Sequence, residues 1–127
     1  FIVRYVVLVQ AIHDILFLLS CICNNSMRET IVKFERGPFP KKYTAHVRNK
    51  KTRKQRIIHF GDRRYQQYKD RTNLKLYANK NHGTRKRMQN YYSRHSGTKN
   101  RKVAIDKEVK ASDGLYTPKI LSHKYLW

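Results

Sequence analysis

The chain has 127 residues, 39% of them hydrophobic, with 29 Lys or Arg against eight Asp or Glu and a formal net charge of +21. That length limits it to one small domain with a modest core, and the charge excludes a role that keeps away from polyanions. Between Lys41 and Lys102 stand 21 Lys or Arg against two acids, Asp62 and Asp70, so the excess must face water, phosphates or an acidic protein surface.

Residues 1–26 are read as an apolar helix. Its run from Ile2 to Leu19 is long enough to cross a bilayer, for which about 20 apolar residues suffice. Gln10, His13 and Asp14 fall on one stripe that lipid rejects, so the segment is expected to be membrane-associated or spanning, with the stripe against a partner. Arg4 before an apolar run also suits a signal peptide, although no small-x-small cleavage site follows. The first Met is Met27, which makes a gene-model extension the competing reading. Cys21 and Cys23 in this run are poorly placed for a disulfide and two ligands short of a zinc site, hence apolar packing or incidental thiols.

Residues 27–40 predict a linker or edge strand, weakly alternating over Thr30 to Phe34 and stopped by Pro38 and Pro40. Residues 41–97 predict a basic α+β domain. Tyr43, Ala45 and Val47 alternate with Thr44, His46 and Arg48, and Arg56, Ile58 and Phe60 alternate likewise, so a β-hairpin is expected with the cationic tip Asn49 to Lys54. Gly61 then allows a turn, and Asp62 is expected to cap a short helix that presents Tyr65 and Tyr68. A second helix is expected from Asp70, burying Leu74, Tyr77 and Ala78. A third is expected after Thr84, with Met88, Tyr91, Tyr92 and His95 on one face, Arg85, Lys86, Arg87, Asn90 and Arg94 on the others, and Gly97 ending it. Residues 98–127 predict an extended tail whose last residues, Leu121, Tyr125, Leu126 and Trp127, form a hook that docks on the domain or on a neighbour. The fold class expected is α+β: a small hairpin packed with two or three short helices, extended tails and the N-terminal apolar helix.

Convergent catalytic groups are scarce. The histidines are scattered, and none falls in a His-x-x-x-His arrangement. His82 and His95 with Asn90 between them faintly match His-Asn-His nucleases, but His95 on the tyrosine face is better read as the edge of a core. Asp62 and Asp70 sit at expected helix starts among arginines, which suits caps and not acid catalysis. No catalytic, metal or cofactor residue is assigned. Lys50, Lys51, Arg53, Lys54 and Arg56, with Arg85, Lys86, Arg87 and Arg94, are the candidate partner or polyanion contacts, and Gly61, Asp62, Tyr65 and Tyr68 the structural corner.

Five stretches resemble a small basic protein family of large icosahedral DNA viruses, the chlorella viruses and their relatives. They run from Tyr43 to Arg48, from Ile58 through Phe60, Gly61, Asp62, Tyr65, Gln67 and Tyr68 to Asp70, from Leu74 to Tyr77, from Arg85 through Tyr91 and Tyr92 to His95, and from Leu121 to Trp127. The family pattern has Pro where this chain has Asn73, which bears on a helix start at most. The resemblance implies a minor capsid protein under the major capsid shell, on the inner face of the capsid of a virion, cementing capsomers and bridging to the internal membrane. Its expected partners are the major and other minor capsid proteins, with an internal viral membrane reached through residues 1–23, which lie outside the resemblance. A basic nucleic-acid-binding or packaging protein is the alternative, in which cations meet phosphates and tyrosines stack on bases.

Overall fold

In the computed structural model, which describes residues 27–127, the three alternating runs become β1 (Glu29–Arg36), β2 (Tyr43–Asn49) and β3 (Gln55–Phe60). They form one antiparallel sheet in the order β1-β2-β3. Period-two alternation sends Tyr43, Ala45, Val47, Ile58 and Phe60 to one face, where Ile31 and Phe34 join them. The opposite face carries Thr30, Arg48, His46, Ile57 and His59, and the register shifts by one residue between Ile31 and Lys33, leaving Val32 exposed. The segment 27–40 is thus an edge strand followed by a turn, and the expected hairpin is present with its cationic tip.

Gly61 turns the chain as expected, at φ +77°. A side chain there would also strike the Leu126 Cδ1 and Lys42 Cβ atoms, each 3.0 Å from the Cβ position. The short helix expected beyond this glycine is absent, and residues 62–70 form an irregular loop. The Asp62 carboxylate accepts from the Arg64 amide at 2.9 Å and its carbonyl from the Tyr65 amide at 3.2 Å in a local turn, and later amides go to remote carbonyls: Gln67 to Lys80, Lys69 to Leu126 and Arg71 to Tyr125. Donors committed across the fold cannot close the i to i−4 ladder. Tyr65 is consequently exposed and Tyr68 half-buried, so the pair presents no common buried face.

The helix expected from Asp70 is also absent, reduced to a single 3₁₀ turn at Ala78–Lys80. Asp70 is buried and draws the loop around itself, accepting from the Thr72 amide at 3.0 Å, the Thr72 hydroxyl at 2.6 Å, the Tyr77 amide at 3.2 Å and the Tyr43 hydroxyl at 2.5 Å. No arginine stands among these partners. Tyr77 enters the core while Leu74 and Ala78 stay at the surface.

The third expected helix is α1 (Arg85–Ser96), with Thr84 at its N-cap position and Gly97 closing it in the left-handed conformation at φ +69°. Residues 98–127, read as an extended tail, instead form α2 (Arg101–Ala111) and α3 (Pro118–Tyr125). Asn100 caps α2 by accepting from the Val103 amide at 3.1 Å, and Thr117 caps α3 by accepting from Ile120 at 3.2 Å, with Pro118 in the first turn where its missing N–H costs nothing. The hook docks on the domain itself: Ile120, Leu121 and Leu126 fill the sheet's inner face with Val109 and Tyr116. Each such apolar side chain contributes about 1.5–3 kcal/mol by leaving water. The apolar helix expected over 1–26, with Cys21 and Cys23, lies outside the described residues. Among the described residues no helix is long and apolar enough to cross a membrane.

Candidate polyanion surface and cleft

The hairpin tip is ordered by Asn49, whose side chain accepts from the Lys51 and Thr52 amides, both at 2.9 Å, while its backbone bonds Lys54 at 2.8 Å and Arg53 at 2.9 Å. Arg53 takes the left-handed conformation at φ 63°. Lys50, Lys51, Arg53 and Lys54 all point from this tip into solvent. On the uncovered face of the sheet a hollow of about 280 Å³ is lined by Thr30, Val32, Arg48, Lys50 and Arg53, with no carboxylate in its wall. Arg56 behaves differently from its neighbours. It forks onto Glu29 at 2.8 and 2.7 Å and reaches the Tyr116 carbonyl at 2.6 Å, and Glu29 also accepts from the Tyr116 amide at 2.8 Å. This clamp ties β1 and β3 to the entry of α3, so Arg56 is committed inside the fold. The Arg56 bond holds the Glu29 carboxyl below its ordinary value.

Arg85, Lys86, Arg87 and Arg94 stand exposed on α1. Arg87 and Arg94 overlook a cleft of about 680 Å³ between α1, the start of α3 and the Gly61 corner. Its cationic wall holds Lys41, Arg87, Arg94 and Lys119; its rings are Phe60, Tyr65, Tyr91, His95 and Trp127. The rings form part of a column: His95 lies 4.5 Å from Tyr91, Tyr91 stacks on Trp127 at 4.2 Å and 3° from parallel, and Trp127 meets His82 at 5.3 Å. Asp62, the acid at the rim, is neutralised by Arg64 at 2.7 Å, which draws its carboxyl down to about 2. Lys119 pairs with Glu108 at 3.3 Å, and Arg87 donates to the Gln66 side chain at 3.0 Å. Lys42, at the cleft floor, is buried and donates to the Gln67 side chain and to the Tyr65 carbonyl at 2.8 Å. Burial, reinforced by the nearby Lys80 charge, pulls its ammonium down to about 8.

The polar groups around His123 are tied up by one another. His123 is fully buried, with the Tyr91 hydroxyl 2.9 Å from Nδ1 and the Ser96 hydroxyl 2.8 Å from Nε2. Ser96 donates to Glu108 at 2.9 Å. The serine lies between imidazole and carboxylate and is itself buried, so the order is wrong for a base-activated nucleophile and the oxygen is out of a substrate's reach. Among the described residues, no group of three or more His, Cys, Asp or Glu is gathered as metal ligands require.

No protein-family model, curated protein or solved structure matches the chain. The site therefore rests on its own geometry. That geometry divides the sequence-predicted cations into a tip cluster and an α1 cluster, and withdraws Arg56 into a structural pair. It also adds Lys41 and Lys119 to the cleft, and Arg48 to the hollow beside the tip. Lys41 carried a signal as a cation beside a turn. Lys119 had none, because its helix was read as a tail.

Proposed function

We propose that the chain is a non-catalytic structural protein of a virion, a minor capsid protein beneath the major capsid shell that holds acidic neighbours and bridges toward the internal membrane. One observation carries this reading. Among the described residues, Arg28, Lys33, Arg56, Arg64 and Lys119 are the only Lys or Arg within 4.0 Å of a carboxylate, in a chain of net charge +21. Among the cations with no such counter-charge, Lys50, Lys51, Arg53 and Lys54 stand at the tip, Arg48 on the bare sheet face and Arg85, Lys86, Arg87 and Arg94 on α1, with others on the loops and the remaining helices, which suits contact with several large acidic surfaces at once. Of the residues that carry the family resemblance, Tyr43, Phe60, Tyr92, Leu121 and Leu126 serve the core, while Arg85, Arg87 and Arg94 stand on the exposed charged surface. Locating the chain in purified particles by electron cryomicroscopy tests this: density on the inner face of the shell, against the capsid lattice, is expected. A position outside the shell, or absence from the particle, would sink it.

A second reading, nucleic-acid binding, is favoured by the cleft, where cations without a carboxylate partner stand beside stacked rings. It is separated from the first by a salt titration of DNA affinity: tight binding near physiological salt with a steep negative slope belongs to the second.

A further inference from the structure

We propose that the cleft between α1 and the Gly61 corner binds one nucleotide unit of single-stranded nucleic acid, with a base against Tyr65 and its phosphates on Lys41, Arg87 and Arg94. The proposal rests on the nucleic-acid reading and names the site and strand state it would use. A volume of about 680 Å³ lies in the range of sites for small organic ligands, about 300–1,000 Å³, and does not admit a duplex. The chemistry of the wall is divided as a nucleotide is divided. Among the described residues no carboxylate lies within 4.0 Å of Lys41 or Arg94, and Arg87 donates to the neutral Gln66 amide. Tyr65 is 64% exposed and carries the Arg64 guanidinium 5.6 Å from its ring centre, which leaves the opposite face of the ring for a base, and the exposed imidazole of His95 ends the column that runs back through Tyr91 and Trp127. The pattern continues past the rim. Phe39, 78% exposed, carries the Arg63 guanidinium 5.9 Å from its ring centre, and Arg63 donates to the Lys41 carbonyl at 2.9 Å. Exposed rings alternating with guanidinium groups form the track along which unpaired bases stack while phosphates are held. An acidic peptide would use the cations and leave the rings without a partner. Stacking within a duplex would hide the base faces that the rings require.

Trp127, the sole tryptophan, lines this cleft and reports on it. The full chain is titrated with a fifteen-residue oligothymidylate, with a duplex of equal phosphate number and with polyglutamate, following probe anisotropy for binding anywhere and tryptophan emission for binding in the cleft. The oligothymidylate is expected to change the emission saturably, while the other two bind without that change. Tyr65→Ala, at an exposed ring, is expected to weaken oligothymidylate binding about five- to tenfold, a typical loss for one stacked base. Lys51→Glu at the distant tip is expected to weaken all three ligands and leave the emission change intact. Binding of single strand and duplex alike with no emission change overturns the cleft assignment and leaves the nucleic-acid reading standing. No binding of either at physiological salt overturns both. An emission change produced by polyglutamate, or an unaffected Tyr65→Ala, also overturns the assignment.

Discussion

The indole of Trp127 lies flat on the phenol of Tyr91, 4.2 Å away and 3° from parallel. Residues 36 positions apart in sequence are thereby joined across α1 and the end of α3, and the contact fastens the smaller core of Tyr91, Tyr92 and Ala104 to the larger one under the sheet. Trp127→Ala is expected to cost about 2–4 kcal/mol, below the full loss for a buried tryptophan because the ring is only partly buried. Trp127→Phe should keep more than half of that stability. Urea unfolding followed by far-ultraviolet circular dichroism measures both.

Asp70 organises the loop that stands in place of the expected helix. Asp70→Ala leaves the Tyr43 hydroxyl, the Thr72 hydroxyl and two amides without their acceptor in the interior, and is expected to destabilise by about 3–5 kcal/mol. Tyr43→Phe removes one donor of the set and also the acceptor of the Leu76 amide at 2.9 Å, and should cost about 1–2 kcal/mol. A double variant no less stable than Asp70→Ala alone would show that the Tyr43 hydroxyl acts only through Asp70.

His123 makes the fold sensitive to acid. Burial lowers its imidazole from an ordinary 6.5 to about 4, so between those values the unfolded chain binds a proton that the folded chain does not. Stability therefore falls as pH drops below 6.5, and this loss is fully developed near pH 4, on the order of 3 kcal/mol. His82, also lowered by burial, and His95, lowered by partial desolvation and by the nearby Arg94 and Lys119 charges, act in the same direction. His123→Gln should flatten the pH dependence of unfolding between pH 7 and 4.5; an unchanged slope would assign the effect to the other histidines.

Lys42 produces the opposite behaviour in alkali. Its folded value of about 8 lies below the ordinary 10.5, so between them the unfolded chain holds the extra proton and stability rises with pH. From pH 8 to 9.5 the gain is expected to be about 1–2 kcal/mol. Tyr43 and Tyr116, pushed up to about 12 by burial, oppose it only above pH 10, where unfolded tyrosines ionise. Lys42→Met should remove most of the rise, read from unfolding midpoints across that window, the remainder belonging to Lys124, whose ammonium burial also lowers.

Alternation and glycine chemistry made the sheet and the corner legible: Tyr43, Ala45 and Val47 cannot turn together toward a core except as a strand, and Gly61 and Gly97 adopt backbone conformations that side chains resist. The spacing i, i+3, i+4, i+7 of Met88, Tyr91, Tyr92 and His95 made α1 legible in the same way. The tail defeated the same method, because α2 buries only Ala104 and Val109 and so shows almost no period, although Asn100 and the Thr117 and Pro118 pair were readable start signals. Over 62–80 the tertiary structure decided against local propensity. Remote carbonyls captured the Gln67, Lys69 and Arg71 amides, and a single buried carboxylate, Asp70, offered more bonds to a wound loop than a helix end could use. Composition alone determined that the surface would be cationic, since so many charges cannot be buried. Where they gather, and which rings stand beside them, depended on how α1 and α3 close against the corner, a matter of packing between segments distant in the chain.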